Sequence, residues 1–241
     1  MSGLRIKILV VMAVLLTAVF CADRIFDFYG VVMSLFPGKE AAVTVKSFSF
    51  SQSDSLEEWN EKILNGHTSY TIEDKDGESY VHALSNNACS AMYYQVKLDV
   101  NRHPFLSWKW RVVVFPDKPC PDNLCSKAED DYAARMYVIF PAIFFANSKA
   151  LEYVWANGSA PGTIVSSPYS ANIKVIVVES GEKGEWASEE RDIYKDYVEA
   201  FGAKPTLKIG AISFMCDSDS TKSRAETLFA DINIFYKNKP R

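Results

Sequence analysis

Apolar and polar side chains alternate with a period of two through about ten short stretches of this chain, a pattern that a packed pair of β-sheets buries. In Phe105–Phe115, Leu106, Trp108, Trp110, Val112 and Val114 fall on one face, and Ser107, Lys109 and Arg111 on the other. Similar runs recur at Val43–Phe50, Tyr70–Ile72, Tyr80–Ala83, Ala91–Asp99, Ala133–Phe140, Leu151–Trp155, Asn172–Glu179, Thr206–Met215 and Leu228–Tyr236, between clusters of Asp, Asn, Gly, Ser and Pro. The spacing predicts a mostly-β domain over residues 43–241, folded as a two-sheet β-sandwich. One stretch departs from period two: Ile193, Tyr194, Tyr197, Val198 and Phe201 lie at helical spacing. They predict a short helix over 188–201, capped by Ser188, with Glu189 to Asp192 in its first turn and Gly202 and Pro205 stopping it.

The N-terminus has a different composition. Arg5 and Lys7 precede an apolar run from Ile8 to Phe20, which ends at Cys21-Ala22 before Asp23 and Arg24. That layout predicts an export signal or N-terminal anchor over residues 1–22, with residues 23–42 as a membrane-proximal linker. A second apolar stretch, Ile25 to Phe36, would prolong the helix and retain the chain; a cleaved leader is the other outcome. Either way the expected location is the periplasm, or the inner membrane facing it, with membrane contact only through this segment. Without residues 1–22 the chain holds 24 basic against 30 acidic residues, so it lacks the positive footprint that nucleic acid requires.

An exported chain carries its cysteines into an oxidising compartment. Cys120 and Cys125, with four residues between them in a turn-rich stretch, suit a disulfide closing a small loop; thiolate zinc is the rival, with no histidine nearby. Cys89 and Cys216 form a second bridge or serve as buried small apolar residues.

Several side chains carry chemistry worth following. Arg135 sits in mid-strand behind Glu129, Asp130 and Asp131, where it makes either a salt bridge or a planar fork for a carboxylate or sugar hydroxyls. Tyr153 and Trp155 share one face of a strand that Asn157-Gly158-Ser159 ends, which suits a ligand-stacking pair at a rim, with core packing as the alternative. Trp108 and Trp110 read as core, and Trp110 also as an aromatic platform for a sugar ring. Asp217, Asp219 and Asp231 are either turn and capping residues or ligands of a structural calcium, which needs six to eight oxygens. Paired carboxylates drawn from Asp130, Asp131, Glu152 and Glu179 would serve a glycosidase as acid and base. The chain has no Gly-x-Ser-x-Gly elbow, no His-Glu-x-x-His and no phosphate-cradling Gly-rich loop, and its three histidines flank no nucleophile.

Longer motifs follow one another in order: Leu106-Ser-Trp-Lys-Trp-Arg-Val, Lys127-Ala-Glu-Asp-Asp-Tyr-Ala-Ala-Arg-Met-Tyr-Val-Ile-Phe, Glu152-Tyr-Val-Trp-Ala, Val177-Val-Glu-Ser-Gly, Trp186 to Asp192, Phe201-Gly, Ile212-Ser-Phe-Met-Cys-Asp-Ser-Asp and Ala230-Asp-Ile. Together, from about Phe48 to Phe235, they resemble the bacterial exported family called domain of unknown function 3047. The resemblance implies an envelope protein with a jelly-roll-like sandwich similar to galactose-binding-type domains, and no established activity. The expected function is a non-catalytic domain that binds a glycan or another polar ligand. A carbohydrate-active hydrolase or lyase, and a membrane-anchored structural or assembly protein with an envelope partner, are the alternatives.

Overall fold

Alternation sorts the apolar side chains of each strand onto one face, and two sheets close those faces against each other. The computed structural model of the protein describes residues 42–51, 56–75, 77–181 and 184–237. The leader and all of the linker except Ala42 therefore lie outside the described residues. One sheet holds β1 (Ala42–Phe48), β3 (Ser69–Lys75), β4 (Glu78–Asn86), β6 (Pro104–Val114), β11 (Ala187–Asp192) and β13 (Arg224–Lys237), ordered β11-β6-β13-β4-β3 with β1 also on β13. The other holds β2 (Asn60–Asn65), β5 (Cys89–Leu98), β7 (Arg135–Phe140), β8 (Lys149–Ala156), β9 (Ile164–Ser167), β10 (Ser170–Ser180) and β12 (Ile209–Asp217), ordered β2-β5-β12-β7-β8-β10-β9. Among the described residues, β8 and β10 pair in parallel and the other neighbours are antiparallel. The mostly-β, jelly-roll-like sandwich with one helix is the expected architecture.

The core lies where the predicted apolar faces meet. Leu106, Trp108, Trp110 and Val112 of β6 point inward and are buried. Trp108 packs edge-on to Trp110 at 5.2 Å and against Tyr153 of β8 at 5.4 Å, while Trp110 meets Trp155 at 5.9 Å. Such aromatic pairs contribute about 0.5–1.5 kcal/mol each beyond the area they bury.

Three strands were not foreseen. β2 is exposed along its whole length and β9 has four residues, so neither shows clear alternation. The third changes the reading of the helix. Ala187 to Asp192 pair with β6 from Trp110 to Phe105 instead of forming a helical turn, because the free backbone edge of β6 takes six residues of strand partner. Ser188 is thus not the cap. The helix, α1 (Ile193–Phe201), begins after Asp192, whose carboxylate accepts the Lys195 N–H at 3.1 Å. It ends where Gly202, at φ 65°, returns its N–H to the Val198 carbonyl.

β13 carries the irregularity that shapes the rest of the molecule. Ala225, Thr227 and Phe229 face the core, and so do Ile232 and Ile234, so the inward parity shifts by one residue at Ala230–Asp231. The pairing with β6 shifts register there, and Asp231 takes a φ of 49°, in a β-bulge. On the other edge, β4 leaves β13 at Phe229 and β1 joins it at Ile232.

Candidate functional site

Of the residues that chemistry singled out in the sequence, Arg135, Asp217, Glu152 and Asp130 gather on the outer face of the second sheet, under the 117–134 loop. Arg135, at the start of β7, is 2% exposed. Its Nε and Nη2 donate to the two oxygens of Asp217, the first at 2.8 Å, and its Nη1 donates to Glu152. The Tyr137 hydroxyl also donates to Glu152, at 3.0 Å, and Asp130 lies 3.6 Å from the guanidinium. Burial pushes the Asp130 carboxyl up to about 6 against the pull of Arg135. Asp131 accepts the N–H groups of Ser220 and Thr221 and so holds the turn before β13. Lys118 closes the loop by donating to Asp122 at 3.0 Å and to the carbonyls of Glu129 and Asp131. Arg135, Asp217, Glu152 and Lys118 are paired inside the protein, and Asp130 Oδ1 is buried without a hydrogen-bond partner. Arg135 is accordingly a buried salt-bridge residue that stitches loop to sheet: its fork grips Asp217 of the protein itself, and at 2% exposure it has no face open to a ligand.

The other stacking candidates are core residues. Tyr153 is fully buried, and its hydroxyl donates to Asp196 at 2.8 Å, while Asp196 also takes two hydrogen bonds from Arg191. Trp155 donates its Nε1 to the Gly181 carbonyl at 2.8 Å, and Trp110 is completely enclosed. Alternation in β8 turns Glu152 and Val154 outward and these rings inward. The rim expected at Asn157-Gly158-Ser159 is covered by Asp122, which accepts from the Asn157 N–H at 3.1 Å and from the Ser159 hydroxyl.

Of the proposed carboxylates, Asp130 and Glu152 meet on the Arg135 guanidinium, whereas Glu179 has another partner and the metal set comes apart. Glu179 of β10 shares a hydrogen bond with Glu189 of β11, and burial together with Glu179 pushes Glu189 up to about 8. Glu179 is thus partnered by Glu189, whereas Asp130 and Asp131 belong to the loop network. Asp231 makes an ion pair with Lys109 at 2.8 Å on the first sheet, whereas Asp217 and Asp219 come together with Cys89 on the second. With Asp217 gripped by Arg135, the three aspartates do not form one oxygen cage. Cys120 and Cys125 are exposed free thiols, and Cys89 and Cys216 are buried free thiols. The bridge expected between Cys120 and Cys125 is not present, and the 117–134 loop is held through Asp122 and Lys118.

An open polar recess lies on the outer face of the first sheet. It has a volume of about 310 Å³ and is lined by Trp186, Lys109, Asp231, Glu78, Ser79 and Ser51, among others. The bulge of β13 makes it. Between the last β13 residue paired with β4, Phe229, and the first paired with β1, Ile232, Ala230 and Asp231 have no strand partner on that edge, and both line the recess. The extra residue also aims the Asp231 carboxylate at Lys109, whose ammonium it holds above the usual lysine range. Trp186 forms a wall, edge-on to Tyr80 at 6.0 Å and 5.3 Å from the Arg111 guanidinium. Its segment is tied down by the Gly184 N–H, which donates to the Val112 carbonyl at 2.9 Å. An aromatic wall with hydroxyls and charges of both signs around it suits a polar ligand with apolar ring faces. Sequence reasoning passed over Trp186 and Lys109. A signal for the site was nevertheless present in the loss of alternation at Ala230-Asp231.

Comparison with known proteins adds a family and several distant likenesses. Residues 57–233 match the family described as Protein of unknown function (DUF3047). In structure the chain is similar to a family 11 carbohydrate-binding module of a cellulosomal cellulase of Clostridium thermocellum (TM-score 0.45, 9% identity, covering 85% of this chain and 99% of that one). It is similar also to a conserved carbohydrate esterase of the Shiga toxin-encoding bacteriophage phi24B (TM-score 0.48, 10% identity, 82% and 100%). An endoglucanase of Rhodothermus marinus is similar as well (TM-score 0.42, 14% identity, 75% and 97%). No curated protein matches the chain.

Proposed function

The chain belongs to the DUF3047 family, and from that premise we propose that its sandwich is a non-catalytic domain of the cell envelope that binds a glycan in the Trp186 recess. The observation that carries the reading is the recess itself, opened by a strained non-glycine residue at the β13 bulge and walled by an indole. Backbone strain at a concave polar site points to function more than to stability. In the reading, a sugar ring stacks on Trp186 while Lys109, Asp231, Glu78 and the serines hydrogen-bond its hydroxyls. Its volume, at the lower end of the range for ligand pockets, suits one or two sugar units. Export to the envelope rests on the charged start and apolar run of residues 1–22.

A glycan array including cell-wall and capsular oligosaccharides tests the proposal, followed by calorimetry on the best binder. Trp186→Ala should weaken binding roughly tenfold or more while the protein stays folded, with a loss of about 0.5–1.5 kcal/mol in stability from its contact with Tyr80. An empty array, or a binder indifferent to Trp186→Ala and Lys109→Ala, counts against the site. Cleavage of the bound oligosaccharide would overturn the non-catalytic part, with Glu78 and Asp231 the carboxylates within the recess.

A further inference from the structure

One end of the sandwich has features of a surface meant for lipid. The turn joining β7 to β8 ends in Ile143 and Phe144, 100% and 73% exposed. A single exposed apolar side chain is ordinary, but two adjacent ones at a loop tip present an apolar point to whatever lies beyond. Tyr169, in the turn between β9 and β10, is exposed at the same end, and the Asn172 amide links the two turns by donating to the Ala146 carbonyl at 2.9 Å. Beside the tip runs an open groove of about 720 Å³, with Lys97, Lys208, Pro141 and Gly210 among its lining residues. Lys204 is exposed in the same α1–β12 connection as Lys208, and Lys149 and Lys174 stand over aromatic rings of α1. Exposed acidic side chains nearby are fewer, chiefly Asp99 and Glu199.

The strand register places the chain's entry at this end too. Leu98 at the end of β5 pairs with Ile209 at the start of β12, and Ala211 pairs with Ile139 near the end of β7. From Leu98 a connection of residues 99–103 crosses to Pro104 of β6, which pairs with Tyr236 of β13, and Lys237 pairs with Ala42. Ala42, the first described residue, therefore lies at the end of the domain that carries the apolar tip and the lysines.

We propose that this end of the domain rests on an anionic phospholipid surface, with Ile143 and Phe144 inserted at the headgroup boundary and Lys97 and Lys208 flanking lipid phosphates. The sequence assigned membrane contact to the N-terminal segment alone; here the folded domain adds a second contact that fixes how it faces the bilayer. Apolar side chains entering the interface, with lysines meeting anionic headgroups, are the two forces that hold such surfaces.

The full chain bearing Phe144→Trp, mixed with vesicles of phosphatidylglycerol and phosphatidylcholine carrying brominated acyl chains, tests the proposal. Its added emission over the parent protein should lose half or more of its intensity. A matched His67→Trp chain, substituted beside β2 at the opposite end, should lose almost none. Lys97→Glu with Lys208→Glu should restore most of the emission, as should purely zwitterionic vesicles. Unquenched Phe144→Trp on vesicle-bound protein, or equal quenching at both positions, overturns the proposal. A blue shift that grows with protein concentration in the absence of lipid would overturn it in favour of a second copy covering the tip.

Discussion

Replacing Arg135 with methionine separates a buried structural arginine from a ligand-binding one. The guanidinium makes hydrogen bonds to both oxygens of Asp217 and one of Glu152, with Asp130 3.6 Å away. Methionine fills much of the volume and none of those bonds. Removing one partner of a buried pair costs about 3–5 kcal/mol, chiefly because the other charge is left without compensation. Part of that cost can be relieved by protons. Burial already holds Asp130 at about 6 and Asp217 at about 7 in the native protein, and loss of Arg135 raises both further. Unfolded, these groups titrate near their ordinary values of about 3.9. Between those values and the raised ones the folded variant binds protons that the unfolded chain does not, so its stability falls as pH rises. The expected loss is therefore about 3–4 kcal/mol at pH 8 and about 1–2 kcal/mol at pH 5.5. Urea unfolding followed by tryptophan emission at the two pH values measures it, provided the denaturant slope is unchanged. A variant within about 0.5 kcal/mol of the parent at pH 8, or a loss that does not vary with pH, would refute the reasoning.

Glu189→Gln should flatten the pH dependence of stability between pH 5 and 8: the raised carboxyl of Glu189, near 8, makes the parent less stable as pH rises through that window. After allowance for partial exposure the difference between pH 5 and 8 should shrink by about 2 kcal/mol, read from thermal melts at each pH. Gly158→Ala should cost about 2–3 kcal/mol, because a Cβ there comes 2.8 Å from Cys120 Sγ and 3.1 Å from Pro121 Cα at a φ of 95°. A melting temperature unchanged by that substitution would show that the turn gives way easily. Thiol titration of the folded protein should show Cys120 and Cys125 reacting within seconds, and Cys89 and Cys216 only after denaturant is added. Burial also raises the Cys216 thiol, which further slows its reaction.

The separate stretches were legible to different degrees. β6, β7 and β8 could be read residue by residue, because alternation in a half-buried strand is a local property of the backbone. β2 could not, since an edge strand exposed on all its residues has no apolar face to betray it. Ala187 to Asp192 misled for a related reason: acidic residues ahead of an apolar helical pattern suit a first helical turn, and only the vacant edge of β6 gave them a better partner. Arg135 could be recognised as needing a carboxylate, but which one was settled by Asp217, 82 positions away.

Chain order alone determined that this protein would pack two sheets around its tryptophans, with one short helix ending near Phe201, because period-two and helical patterns are set by neighbouring residues. Tertiary structure alone decided which aromatic ring stays at the surface. Trp110, Tyr153 and Trp155 are enclosed because both sheets contribute rings to one interior, whereas Trp186 remains at the surface beside a gap that exists only where β4, β1 and β13 meet. A recess of that kind is formed by strands far apart in sequence, and no local pattern in any one of them contains its shape.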